Sequence, residues 1–440
     1  MVGASAIILF AFGTWLVLAS ALYMIRIVSN IPFALAVILW PFLISSLTNN
    51  HHIRLLKQSN ITPLPTVKGD FESWLSQIDD STSLKHEDST IVYLVAAEGG
   101  GIRAAYYSCA VLTALNQVDS NFGKQCYAIS SVSGGSLGAA AFLRHLEQGD
   151  KNSMAWKTML TQDYISHITA KLAFDDMIQR FVPFNIPSFD RAKGLEKDWE
   201  KSMKKAWNLK MDEEKKGFLD FHRTNGKGPR MLLNCTEVET GNRLLISPFK
   251  ANSFYRSQNL LEVVSSDIPL STAVSLSARF PYLTPAGLVD LGHKKISVVD
   301  GGYFDNSGTQ SLYELYVQLK KEIPRNRKVK FAFIVLKNSK KPDLMHQGML
   351  HESLGPVRTF LNVWDARGYF AMQQLKMRSQ DDGSLYHPIY LDRKEEERIP
   401  LGWYISKDAA SFMDQDVKNK EVQLKEVLGI KNGEFSVYRR

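Results

Sequence analysis

Three cysteines in 440 residues, Cys109, Cys126 and Cys235, are too few for a disulfide framework and lack the spacing of metal ligands. Ordinary thiols in a reducing compartment are expected, with no metal and no cofactor. The chain also lacks repeats and low-complexity tracts. Its charge excess is moderate: 53 Lys and Arg against 45 Asp and Glu leave a net +8. That balance suits anionic membranes or simple solubility. It falls short of a nucleic-acid footprint, so no nucleic-acid partner is expected. The first fifty residues are nearly without charge, Arg26 being the only Lys, Arg, Asp or Glu among them.

The length exceeds a usual single core of ~250–300 residues, so one large domain with an appendage is expected. Val2 to Ile25 carries no charge, and at ~1.5 Å per residue it can cross ~30 Å of hydrocarbon. A second uncharged run, Ile31 to Leu47, is shorter and holds Pro32 and Pro41. It either spans with a kink or dips in and returns. The short link from Arg26 to Asn30 makes residues 1–50 a transmembrane helical hairpin. The missing basic n-region and the immediate second run set it apart from a cleaved signal peptide. Arg54, Lys57 and Lys68, with His51 and His52, follow the second run and favour a cytoplasmic main domain. Residues 51–88 are polar, with Pro63, Pro65 and a cluster from Asp79 to Ser83, and read as a linker to a main domain over 89–440.

From Ser89 the texture changes. The β-branched run Thr90 to Ala97 predicts a buried parallel strand, Gly99 to Gly101 a turn, and Ala104 to Val118 a helix. Cys126 to Val132 and Gly134 to Leu146 repeat the pattern, giving two βα units of a parallel α/β sheet. Residues 151–228 are charged and aromatic without a clear strand, and predict a helical, cap-like insertion. It holds an exposed amphipathic helix at Leu195 to Trp207 and an apolar loop, Phe181 to Pro187. Met231 to Cys235, Arg243 to Ile246 and Lys295 to Val299 predict strands. Pro269 to Ala278 and Thr309 to Glu322 predict helices, and Val329 to Leu336 the strand that finishes the sheet. Residues 337–440 read as mostly helical.

Ser133 lies among small residues at a sharp strand-to-helix turn, the arrangement of a nucleophile elbow with helix N–H groups behind it. Ser/Gly turns before helices are common, so partners elsewhere must decide. Gly99, Gly100 and Gly101 follow a predicted strand and let N–H groups converge, as an oxyanion hole or a plain structural turn. Neither the G-x-G-x-x-G spacing nor a Gly-Lys-Ser/Thr is present, which excludes a dinucleotide fingerprint and a P-loop. Asp300, before Gly301 and Gly302, ends a later strand, where it can accept a serine proton or cap a turn. A Ser-acid-His triad would need His346, His351 or His387, since His145 lies about three turns beyond Ser133.

In order and spacing, Gly99-Gly100-Gly101-Ile102-Arg103, Ser131-Val132-Ser133-Gly134-Gly135 and Asp300-Gly301-Gly302 resemble the three signature blocks of patatin-like phospholipases. Asn234 to Gly241 and Ser275 to Pro281 resemble two lesser stretches, and the resemblance covers about Ser89 to Leu336. It implies a bacterial-type, membrane-anchored member. The implied fold is a patatin-type three-layer α/β/α sandwich with a mostly parallel central sheet, preceded by the N-terminal hairpin. It also implies a Ser133–Asp300 dyad without histidine, an oxyanion hole from Gly99, Gly100 and Gly101, and Arg103 bracing that loop. Ser131 and Ala104 stand where the family has glycine.

The implied activity is hydrolysis of carboxylic esters in membrane (phospho)lipids. Two alternatives stand beside it: a lipid acyltransferase using the same dyad, or a membrane scaffold whose patatin-like domain is inactive. The expected location is multi-pass in a bacterial inner membrane, with the catalytic domain in the cytoplasm.

Overall fold

The computed structural model describes residues 3–29, 33–44, 48–56, 62–79, 89–149, 153–210, 212–224, 226, 228–280, 283–323, 328–338, 351–392, 399, 402–431 and 434–435. The chain opens with α1 (Ala4–Ser29) and α2 (Phe33–Leu43), followed by α3 (Val67–Asp79). Next come β1 (Ser89–Ala97), α4 (Gly101–Val118), the one-turn α5 (Phe122–Gln125), β2 (Cys126–Ser131) and α6 (Gly134–Gln148). The insertion holds α7 (Ala155–Leu160), α8 (Ile165–Ala173), α9 (Asp175–Gln179), α10 (Arg191–Trp207) and α11 (Phe218–Thr224). Then follow β3 (Arg230–Glu237), β4 (Arg243–Ile246), β5 (Ser257–Asn259), α12 (Leu260–Val264), α13 (Leu270–Ser277), β6 (Gly287–Asp290) and β7 (Lys295–Asp300). The rest is α14 (Thr309–Lys321), β8 (Lys328–Lys337), α15 (His351–Asp381), β9 (Leu385–Tyr390), α16 (Lys407–Asn419) and α17 (Glu421–Val427), before a short terminal strand pair.

The sheet runs β5-β4-β3-β2-β1-β8-β9, with β7 against β3 and β6 against β7. β3, β2, β1, β8 and β9 are mutually parallel, while β4 and β7 run antiparallel to β3. Alternation along β1 sends Tyr93, Val95 and Ala97 into one apolar layer and Val92, Leu94 and Ala96 into the other. The first layer lies under α4, α6 and α13, and the second under α3 and α14. This is a mostly parallel α/β/α arrangement, as expected. β8 does not finish the sheet, because β9 adds a further parallel strand outside it.

Among the described residues α1 alone is long and apolar enough to cross a bilayer, over Ala4–Ile25. The eleven residues of α2 reach roughly half of ~30 Å, so the expected hairpin has one full-length limb and one short one. Ile31, Pro32 and residues 45–47 of the second run lie outside the described residues. The expected linker is not a linker where it is described. α3 buries Phe71, Trp74, Leu75 and Ile78, and the Phe71 and Trp74 rings stand 5.0 and 4.9 Å from that of Tyr127. Residues 80–88, with most of the Asp79 to Ser83 cluster, lie outside the described residues, as does Lys57.

His51 and Ile53 pair with Leu288 on β6, the carbonyl and amide bonds measuring 2.9 and 3.0 Å. Arg54, expected as a membrane-flanking cation, is folded inward instead. It meets Glu196 at 2.7 Å and Glu200 at 2.6 Å on α10, and Ser271 and Thr272 on α13 at 2.6 and 3.1 Å. α10 is correspondingly half core: Leu195, Glu196, Trp199, Glu200 and Met203 are buried.

Candidate active site

Ser133 sits between β2 and α6 at φ 52°, ψ −124°. A non-glycine residue there stores about 1–3 kcal/mol of strain, and the surroundings must hold it. Its amide donates to the Ser277 carbonyl at 3.0 Å, at the end of α13. The glycines beside it serve close backbone approach rather than flexibility. A Cβ on Gly134 would lie 1.8 Å from the Gly101 carbonyl oxygen, and one on Gly135 would lie 2.5 Å from that of Ala97. Ser131, in place of a glycine, is fully buried and accepts from the Ser136 hydroxyl at 3.1 Å.

The glycine loop caps the start of α4, with Gly100 at φ 151° and Gly101 at φ 58°. Three donors were expected, and the structure leaves two. The Gly99 amide is spent on the Asn306 carbonyl at 2.9 Å, whereas those of Gly100 and Gly101 have no partner among the described residues. The loop is fixed from behind. Asn338 Nδ2 donates to the Gly99 carbonyl at 2.6 Å, and the Asn338 amide donates to Glu98 Oε2 at 2.9 Å. Glu98 Oε1 takes Lys337 Nζ at 2.9 Å, both side chains being buried, and the ammonium stands 3.8 Å from the Tyr369 ring centroid. Arg103 is buried and donates to the Ile399 carbonyl at 3.1 Å, while the Ile102 amide reaches the Gly402 carbonyl at 3.0 Å. Arg103 thus ties the start of α4 to the segment before α16.

Asp300 ends β7, where its carbonyl accepts from Thr236 Oγ1 at 3.0 Å and its Oδ1 from the Gly302 amide at 2.8 Å. Gly301 is required by contact: a Cβ would stand 2.2 Å from the Asn234 carbonyl oxygen. The other carboxylate oxygen, Oδ2, is buried and has no hydrogen bond of full geometry. Burial pushes the Asp300 pKa up to about 7, with the Gly302 amide and the nearby Ser133 hydroxyl pulling it back. The structure therefore brings Ser133, Asp300 and the glycine loop to one place.

Among the described residues no histidine joins them. His387 lies on β9, where burial pushes its pKa down to about 4. His145 is buried near the far end of α6. His346 and the side chain of His351 lie outside the described residues. A cavity of about 760 Å³, lined by Asn116, Lys124, His145 and Arg223 among others, contains neither Ser133 nor Asp300.

One residue at the site went unread in the sequence. The Asn306 carboxamide packs on the Gly99 Cα beside Ser133: a Cβ on Gly99 would lie 2.2 Å from Asn306 Oδ1 and 3.1 Å from Ser133 Cβ. Its only sequence signal is its place in the turn after Asp300. Together the site offers a hydroxyl in a strained turn, a carboxylate of near-neutral pKa and two free amides. That set can perform acyl transfer.

Residues 95–313 match the family model described as patatin-like phospholipase. No curated protein matches the chain in sequence. Among solved structures, human GIVD cytosolic phospholipase A2 is similar at 11% identity and TM-score 0.40, with 82% of this chain and 65% of that chain covered. VipD from Legionella pneumophila is similar at 11% identity and TM-score 0.30, with 77% and 67% covered. A chain of the complex of SpcU with ExoU from Pseudomonas aeruginosa is similar at 13% identity and TM-score 0.28, with 77% and 53% covered. The chain thus spans just under two thirds of the human protein's length.

Proposed function

From a chain that carries a patatin-like phospholipase domain over residues 95–313, we propose a membrane-anchored serine lipid hydrolase working through a Ser133–Asp300 dyad. The observation that carries this is the otherwise unpartnered, buried Asp300 Oδ2 beside the Ser133 hydroxyl, on a carboxyl whose pKa stands at about 7. Asp300 takes the Ser133 proton as Oγ bonds to the ester carbonyl carbon. The carbonyl oxygen becomes an oxyanion facing the Gly100 and Gly101 amides, each well-placed donor being worth about 3–4 kcal/mol. Collapse breaks the ester bond, and the alcohol leaves with the proton from Asp300. Water then attacks acyl-Ser133 as Asp300 takes its proton; collapse breaks the Oγ–acyl bond, Asp300 returns the proton to Ser133 Oγ, and the fatty acid departs.

The anchor is proposed as the α1–α2 hairpin, with both limbs meeting the catalytic domain on one side. Trp15 of α1 and Trp40 of α2 both donate to carbonyls of the insertion, which supports that arrangement. The domain is proposed on the cytoplasmic face of a bacterial inner membrane, where the chain's net charge of +8 suits an anionic lipid surface. Wild-type protein should cleave a nitrophenyl acyl ester and bind a fluorophosphonate probe at Ser133. Ser133→Ala should lose both and stay folded, and wild-type turnover by that variant would sink the dyad.

A further inference from the structure

Resting on the membrane-anchored reading, we infer that the tip of the insertion, from Phe174 to Pro187, lies inside the lipid leaflet on the catalytic side. Two indoles tie it to the anchor. Trp15 Nε1 donates to the Ala173 carbonyl at 2.8 Å, and Trp40 Nε1 to that of Phe181 at 3.0 Å. The Phe10 and Phe174 rings lie 6.1 Å apart. Crossing the hydrocarbon takes about twenty residues, and α1 has 26, from Ala4. The crossing run therefore begins no later than Phe10. Trp15 then sits at least about 7 Å along the helix below the hydrocarbon surface, at the end where α1 begins. The carbonyl that it binds is held at that depth.

The tip is built for such a place. Met177, Ile178 and Phe184 are 39%, 42% and 62% exposed. Lipid offers backbone groups no partners, and the tip supplies its own. Gln179 Nε2 donates to the Phe184 carbonyl and its Oε1 accepts from the Ile186 amide, both at 2.8 Å. Pro183 and Pro187 have no N–H to satisfy. Asp176 is buried and paired with Arg191, and Asp175 is paired with Lys171. Arg180 is exposed, and its long side chain can reach outward to a headgroup phosphate.

The tip is also tied to the segment that follows α13. Arg191 links Asp176 to the Leu283 carbonyl at 2.7 Å, in the segment that leaves α13. α13 ends at Ser277, whose carbonyl holds the Ser133 amide. A lipid in that leaflet would then meet the catalytic domain without passing through water.

The three native cysteines are buried, so a single introduced cysteine can carry an environment-sensitive fluorophore. Full-length protein would be labelled at Phe184→Cys, Ile178→Cys, Phe12→Cys in α1 and Val422→Cys in α17. It would then be reconstituted into phosphatidylethanolamine–phosphatidylglycerol vesicles containing nitroxide-labelled lipid. Probes at 184, 178 and 12 should emit at shorter wavelength and be quenched by the lipid nitroxide, while the probe at 422 should be quenched only by aqueous iodide. Iodide quenching at 184 and 178 with lipid quenching at 12 would overturn the inference and leave the anchor standing. Iodide quenching at all four positions would overturn both. No hydrolysis is read, so a catalytically dead protein would count against the proposed function alone.

Discussion

Gly134 and Gly101 touch backbone to backbone, so the turn that carries the nucleophile rests directly on the loop that faces it. A methyl at position 134 would lie 1.8 Å from the Gly101 carbonyl oxygen, whereas one at Gly402 would meet only Ile165 Cδ1 at 3.5 Å. Gly134→Ala should lower kcat on a soluble nitrophenyl ester by at least about a hundredfold and cost roughly 1–3 kcal/mol of stability. Gly402→Ala should change neither. Steady-state kinetics and thermal melts of the two variants check the contrast.

The pH profile should follow Asp300. The base must be ionised to accept the serine proton, and burial holds its pKa at about 7. kcat/KM should therefore be half-maximal near pH 7 and fall about tenfold per unit below it. Stability runs the other way. Between the ordinary aspartate value of 3.8 and about 7, the folded protein keeps a proton that the unfolded chain releases. Stability then declines as pH rises through that window, by up to about 4 kcal/mol. Asp300→Asn should be inactive yet melt higher than wild type at pH 8, which scanning calorimetry at two pH values would test.

The Asn306 carboxamide packs on Gly99 beside Ser133, next to the proposed oxyanion loop, whose Gly99 amide is already spent. Asn306→Ala keeps the backbone carbonyl that binds Gly99 and removes only the side chain. Its kcat should drop by about ten- to a hundredfold with KM nearly unchanged, somewhat less than for a primary oxyanion donor. An unchanged kcat would reduce Asn306 to a packing residue.

Glu98 and Lys337 form a buried ion pair behind the oxyanion loop. Lys337→Met should destabilise by about 3–5 kcal/mol because it strands a buried carboxylate. Adding Glu98→Gln should recover part of that loss. Urea titration of the single and double variants measures the difference.

Much of the candidate site was legible because it is local. A β-branched strand, a turn of small residues and a helix place Ser133 and the glycine loop within a few positions of their supports. What was missed is held together across the chain. Asn338 braces Gly99 from 239 residues away, and no periodicity announces such a bond. The availability of the Gly99 amide could not be read either, since an N–H is spent or free only in three dimensions. α3 did carry its signal: Phe71, Trp74, Leu75 and Ile78 have helical spacing. The prolines before it and the acidic cluster after it gave the stretch the look of a connector. Arg54 was misread because a lone cation after an apolar run looks like a membrane flank. Only α10 and α13 reveal that it faces two buried carboxylates.

Arg54 also marks where a soluble enzyme can be cut free. Starting the chain at Ser89 would strip α3 from the sheet, deprive Glu200 of its arginine and leave Glu196 with only the Thr272 hydroxyl and Arg279, the latter 3.6 Å away, among the described residues. A cut just before Asn50 would remove two largely exposed apolar helices and keep every one of those partners. The excisable catalytic unit therefore begins about forty residues earlier than a boundary at Ser89 would put it, soon after the apolar α1 and α2.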